Sequence, residues 1–84
     1  MIELNCDNNI LDNINVSDLT NLTELNCSRN KFVELDVSKL TNLKELNCSQ
    51  NLLTKIKCDE LINLEILSCG NNKLVESRTK YKIK

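Results

Sequence analysis

Apolar and polar residues alternate along short stretches of this chain, and the alternation returns at a fixed interval. In residues 25–28, which read LNCS, the apolar Leu25 and Cys27 fall on one side of an extended backbone, and the polar Asn26 and Ser28 fall on the other. A period of two predicts a β-strand with one buried face. The same pattern recurs further along the chain, so we predict a series of short strands that stack into a parallel sheet.

Three residue types recur every 21 residues through the 84-residue chain. They are leucine (Leu4, Leu25, Leu46, Leu67), cysteine (Cys6, Cys27, Cys48, Cys69) and asparagine (Asn9, Asn30, Asn51, Asn72). The sequence divides without remainder into four repeats, 1–21, 22–42, 43–63 and 64–84. We predict a single domain, 1–84, in which the last half-repeat caps the stack because it is polar where earlier repeats are apolar.

Each repeat is itself nested. Residues 22–28, which read LTELNCS, are echoed by residues 32–38, which read FVELDVS. A half-unit of ten or eleven residues has no room for a helix of ordinary length. We therefore expect a strand or an extended segment on both sides of each repeat, and little or no helix.

The segment L-x-x-L-N-C-x-x-N, exact in repeats two and three and changed at one position in each of the other two (Met1 and Ser68), resembles the leucine-rich-repeat signature L-x-x-L-x-L-x-x-N/C-x-L. The resemblance covers the whole chain, although cysteine replaces the third leucine and the period is short. Nested repeats of this length are similar to a short class of leucine-rich repeats seen in some bacteria and in giant viruses of amoebae. The resemblance implies a right-handed, β-rich solenoid of parallel coils whose exposed strand face binds a ligand.

The cysteine and asparagine positions each predict a ladder. Four thiols in a line are typical either of a soft-metal site or of a close-packed core. The chain has no C-x-x-C pair and no histidine, so we predict core packing, with no metal and no cofactor. The asparagines follow each main strand, where the chain turns inward. We expect them to be buried and hydrogen-bonded to backbone groups.

The polar side of the predicted main strands is the candidate binding surface. It comprises Glu3, Asn5, Glu24, Asn26, Glu45 and Asn47. Stacked carboxylates repel one another modestly, which would suit a basic partner or a cation. The alternative is a solvated face that keeps the sheet soluble, and this alternative stays open because the face has no aromatic residues of the kind that dominate interfaces.

The predicted function is a protein–protein interaction module whose partner is unknown. The alternative is a structural or self-assembling segment, with a homodimer formed through the N-terminal edge of the sheet. An enzyme is not expected, since the chain has no histidine base, phosphate-binding loop or nucleophile motif. Nucleic acid is not expected either, because the net charge is −1 and the basic segment 77–84 has only four basic residues and a single aromatic, Tyr81.

Apolar runs are too short for the ~20 residues of a membrane span, and the first residues lack the layout of a secretory signal. Five cysteines, four of them at a fixed interval, favour a reducing compartment. We therefore expect a cytoplasmic protein, in the cytoplasm of the host if the chain is viral.

Overall fold

The computed structural model of this chain describes residues 3–12, 14–57 and 61–73. It contains six three-residue strands: β1 (Glu3–Asn5), β2 (Glu24–Asn26), β3 (Glu34–Asp36), β4 (Glu45–Asn47), β5 (Lys55–Lys57) and β6 (Ile66–Ser68). None of the described residues is helical. The prediction of short strands with little or no helix is therefore confirmed for these three ranges.

Two parallel sheets organise the strands. The main sheet has the order β1-β2-β4-β6, and the second sheet pairs β3 with β5. Leu4 pairs with Leu25, Leu25 with Leu46, and so on along the sheet, so each pairing is offset by 21 residues. We call one passage of the chain through the main sheet a coil and number the coils one to four (residues 3–21, 22–42, 43–63 and 64–73).

A strand on the second side is present in coils two and three, where Leu35 pairs with Ile56. In coil one, residues 14–16 form no strand. The expectation of a strand or an extended segment on both sides is therefore confirmed by strands in coils two and three only. In coil four the second side lies outside the described residues.

The hydrophobic core lies between the two sheets and runs as columns from coil to coil. Its buried members are Val16, Leu22, Leu25, Cys27, Phe32, Leu35, Val37, Leu40, Leu43, Leu46, Cys48, Leu53, Leu61, Leu64, Leu67 and Cys69. The column formed by Leu22, Leu43 and Leu64 was not among the predicted core positions. Its signal was present, because leucine recurs there every 21 residues as the first residue of the L-x-x-L motif.

Coil one departs from the predicted columns. Leu11 is 37% exposed and Leu19 is 43% exposed, whereas the residues at the same positions of coil two, Phe32 and Leu40, are both 0% exposed. The 21-residue recurrence therefore does not give equal burial in this coil. The physical reason is that the described structure packs against coil one on one side only.

After each main strand the backbone enters the left-handed region. The residues with positive φ are Asn8 (61°), Arg29 (56°), Gln50 (56°) and Asn71 (56°), one per coil. Asparagine tolerates this conformation, whereas arginine and glutamine adopt it at a cost of about 1–2 kcal/mol. Bonds to the next coil hold the backbone there, since Arg29 N donates to Ser49 O at 3.0 Å and Gln50 N donates to Gly70 O at 2.9 Å.

Candidate functional site

The exposed side of β1, β2 and β4 carries the six predicted binding residues. We call this surface the acidic face (Glu3, Asn5, Glu24, Asn26, Glu45 and Asn47). The sheet register aligns its glutamates in one row and its asparagines in a second row. On β6 the two rows continue with Ile66 and Ser68. A concavity of about 300 Å³ extends over this surface and is lined by residues from all four main strands.

The glutamate row carries unbalanced negative charge. Glu24 lies between Glu3 and Glu45 and is partly buried, whereas its two neighbours are exposed. The pKa of Glu24 is raised above its ordinary value, first by its burial and then by the negative charges of Glu3 and Glu45. A positive group placed over the row would relieve this repulsion.

The asparagine row has a second role that the sequence analysis missed. The Asn26 Oδ1 atom accepts a hydrogen bond from Ser28 N at 3.2 Å and shares the single proton of Ser28 Oγ, 2.9 Å away, with Asp7 Oδ1. The Asn47 Oδ1 atom accepts from Ser49 N and Ser49 Oγ, at 3.2 and 2.8 Å. The side-chain oxygens of Asn26 and Asn47 therefore bind donors of the turn that follows each strand, and the side-chain NH₂ groups remain available to a ligand. The signal was the Asn-x-Ser spacing, which is typical of Asx turns.

Asp7 lies at the end of β1 but does not add to the charge of the acidic face. The Arg29 Nε atom donates to Asp7 Oδ1 at 3.0 Å, and the Arg29 Nη2 atom also donates to Asp7 Oδ2. These bonds, with one from Ser28 Oγ, lower the pKa of Asp7 to about 2. Ser28, which the alternation of residues 25–28 assigns to the polar side of the strand, is buried beside this ion pair.

The asparagine ladder joins each coil to the one before it. Asn51 Nδ2 donates to Cys27 O of the preceding coil and to Cys48 O and Ser49 O of its own coil, each at 3.1 Å. Its Oδ1 accepts from Phe32 N at 3.1 Å. Asn30 and Asn72 make the corresponding bonds in coils two and four. Asn30 Nδ2 donates to the carbonyl oxygens of Cys6, Cys27 and Ser28, and its Oδ1 accepts from Leu11 N. Asn72 Nδ2 donates to the carbonyl oxygens of Cys48, Cys69 and Gly70, and its Oδ1 accepts from Leu53 N.

The predicted burial of this ladder varies along the stack. Asn30 and Asn51 are buried and Asn72 is partly buried, but Asn9 is exposed. Asn9 bonds only within its own coil, from Nδ2 to Cys6 O at 2.8 Å and to Asp7 O at 3.3 Å. The prediction that Asn9 is buried is wrong, because no described coil lies on its other side.

The cysteine column packs inside the main sheet. Cys27, Cys48 and Cys69 are buried, Cys6 is partly buried, and none of these four is part of a disulfide. Burial raises the pKa of Cys27 to about 12, so the thiolate that would react or bind metal is strongly disfavoured. Within residues 3–12, 14–57 and 61–73, no three His, Cys, Asp or Glu side chains are grouped to hold a metal. The fifth cysteine, Cys58, lies outside these ranges.

Comparison with known proteins gives no assignment: the sequence matches no family model and no curated protein at a significant level. The described part of the chain contains no helix that is long and apolar enough to cross a membrane.

Proposed function

We propose that this chain is a protein-interaction module of the leucine-rich-repeat type, and that the acidic face is its contact surface for a partner with basic groups. The observation that carries the proposal is the in-register row of Glu3, Glu24 and Glu45 along a concave sheet face. Complementary charges steer encounters and fix the register of a partner.

The hydrogen bonding of the face supports recognition over simple solvation. Because the Oδ1 atoms of Asn26 and Asn47 are held by Ser28 and Ser49, the asparagine side chains have a fixed orientation. The face therefore presents a row of acceptors beside a row of donors, at the strand spacing of ~4.8 Å. Preorganised groups of this kind lose less conformational entropy when a partner binds.

The same proposal covers the wider architecture and setting. The 21-residue offset of the strand pairs supports a solenoid of four repeats, and the right-handed course of the coils is part of the proposed leucine-rich-repeat likeness. The described free cysteines, three of them buried, support a reducing compartment such as the cytoplasm. We propose a binding role without catalysis.

The test compares the proteins captured by three forms of the tagged chain: wild type, Glu45→Lys and Glu34→Lys. Glu45 and Glu34 are both exposed first residues of E-L-x strands, but Glu34 lies on the second sheet, away from the acidic face. The control therefore makes the same charge change on a matched strand position.

We expect a partner that is retained by wild type and by Glu34→Lys, and whose affinity for Glu45→Lys falls ~10-fold or more. The partner's contact segment should contain lysine or arginine. A partner lost equally from both variants would show nonspecific charge attraction. If no protein is enriched on wild type relative to Glu45→Lys, the acidic face is excluded as the contact surface.

A further inference from the structure

The two ends of the described stack differ in how well their core layers are covered. In coil four, Leu67 and Cys69 are both 2% exposed, whereas Leu4 and Cys6, at the same positions of coil one, are only partly buried. In coil one, Leu11 and Leu19 are more than a third exposed. The end of the stack formed by coil one, which we call the open end (residues 3–12 and 14–21), therefore has apolar core positions at its surface.

The open end also carries unused backbone hydrogen-bonding groups. Cys6 N donates toward coil two, to Asn26 O at 2.8 Å. Successive residues of a strand direct their backbone N–H and C=O groups to opposite sides. The backbone groups of Leu4 therefore also face β2, whereas those of Glu3 and Asn5 face away from it. β1 is an edge strand of the main sheet, so its outer N–H and C=O groups can pair with another strand.

We propose that the open end is the interface of a symmetric dimer, in which β1 of one copy pairs antiparallel with β1 of a second copy. A two-fold axis perpendicular to the main sheet, passing beside Leu4, places Glu3 opposite the second copy's Asn5. Those are the two residues whose backbone groups face outward, so each Glu3–Asn5 pair exchanges two hydrogen bonds. This proposal concerns the outer edge of β1, whose residues Glu3 and Asn5 also belong to the acidic face, and it does not require that a partner bind that face.

The side chains fit this arrangement as well. The axis keeps the exposed faces of the two sheets on the same side, so each Glu3 carboxylate lies beside an Asn5 amide of the other copy instead of beside a second carboxylate. The rotation also reverses the course of the coil. The bend that carries Leu11 in one copy therefore lies against the bend that carries Leu19 in the other, and the two exposed apolar side chains cover each other.

The proposed interface is small and carries net charge. Residues 3–21 contain four acidic and no basic residues, and among them Asp7 is neutralised by Arg29. Asp12 of one copy comes near Asp18 of the other, because they lie on the two bends that meet. One coil offers less area than the ~1,200 Å² of a stable interface. The dimer is therefore weak, and it tightens as added salt screens the acidic groups.

The experiment is sedimentation equilibrium of the full, reduced chain over a wide concentration range, at low and high salt. The expected result is a monomer–dimer equilibrium that stops at the dimer and tightens with salt. A monomer at every concentration would overturn the proposal. So would a mass that grows beyond the dimer, since head-to-tail stacking does not close.

Charge reversal tests the orientation of the two copies. Asp12→Lys converts two like-charge contacts with Asp18 into opposite-charge contacts, and should tighten the dimer at low salt by ~3- to 10-fold. Asp12→Lys/Asp18→Lys restores like charges and should lose that gain. Glu34→Lys makes the same change away from the open end and is the control. An equal gain in the control, or a gain kept by the double variant, would contradict this geometry.

Backbone pairing has its own matched variants. Glu3→Pro removes an outward N–H at the first residue of an edge strand, where proline is tolerated, whereas Glu3→Ala removes only the side chain. We expect Glu3→Pro to weaken the dimer by ~10-fold or more and Glu3→Ala by ~3-fold or less. The circular dichroism spectrum checks that both variants fold. Equal dissociation constants for the two variants would exclude β1 pairing.

Discussion

The asparagine ladder allows a quantitative test of what holds the coils together. Asn51→Ala removes a side chain that donates to Cys27 O, Cys48 O and Ser49 O, and that accepts from Phe32 N. The cost of the change depends on which of these backbone groups keep another partner.

Each of the three carbonyl oxygens keeps another hydrogen-bond donor. Cys27 O still accepts from Asn30 Nδ2, Cys48 O still accepts from Asn72 Nδ2, and Ser49 O still accepts from Arg29 N. Phe32 N has no replacement at a position that is fully buried. One orphaned buried N–H costs about 1–3 kcal/mol. We expect Asn51→Ala to lower the free energy of unfolding by about 2 kcal/mol, a large share for a small domain.

Asn9→Ala is the matched control. Its two bonds lie within coil one, and Cys6 O keeps a bond from Asn30 Nδ2 after the change. No buried N–H is orphaned, so the loss should be about 0.5 kcal/mol or less. Urea unfolding followed by circular dichroism gives both values, provided the slope with denaturant is unchanged. Equal losses of unfolding free energy for the two variants would show that hydrogen bonds from asparagine to the backbone of the adjacent coil do not stabilise the stack.

Three further outcomes are expected. Gln50→Gly should raise the urea midpoint, corresponding to a gain in stability of up to about 1 kcal/mol. Glycine removes the steric cost of the left-handed conformation at this position, but it loses more backbone entropy on folding, which offsets part of the gain. The stabilisation from Asp7 should be full above its ordinary pKa of 3.8 and be lost as the pH falls toward about 2, where the carboxylate paired with Arg29 is protonated. The stability difference between wild type and Asp7→Asn, measured by thermal unfolding across this range, should therefore disappear at low pH. In native protein at pH 8, peptide mapping should find Cys6 alkylated before Cys27, whose burial raises its pKa to about 12; equal rates would contradict the packed column.

The main sheet was predictable because its pattern is strictly periodic. The alternation around Leu25 and Cys27 fixes which side of the strand is buried, and the 21-residue recurrence fixes which residues pair. The six residues of the acidic face follow from the same two facts. No knowledge of the bends is needed for either result.

What could not be predicted depends on position in the stack. Asn9 and Asn30 occupy equivalent places in the sequence repeat, yet one is exposed and the other buried. Burial there requires a neighbouring coil, which the local sequence does not encode. The ion pair of Arg29 with Asp7 likewise joins different residue types on adjacent coils, 22 positions apart. A pattern built on identical residues at intervals of 21 does not identify such a pair.

The left-handed residues bear on the smallest unit of this chain that folds. The only glycine, Gly70, is not among the residues with positive φ, so the bends adopt this conformation without the residue that favours it most. Their geometry comes instead from bonds to the adjacent coil, such as that between Arg29 N and Ser49 O. A peptide of one isolated 21-residue coil should therefore remain unstructured, and folding must begin with two coils forming together.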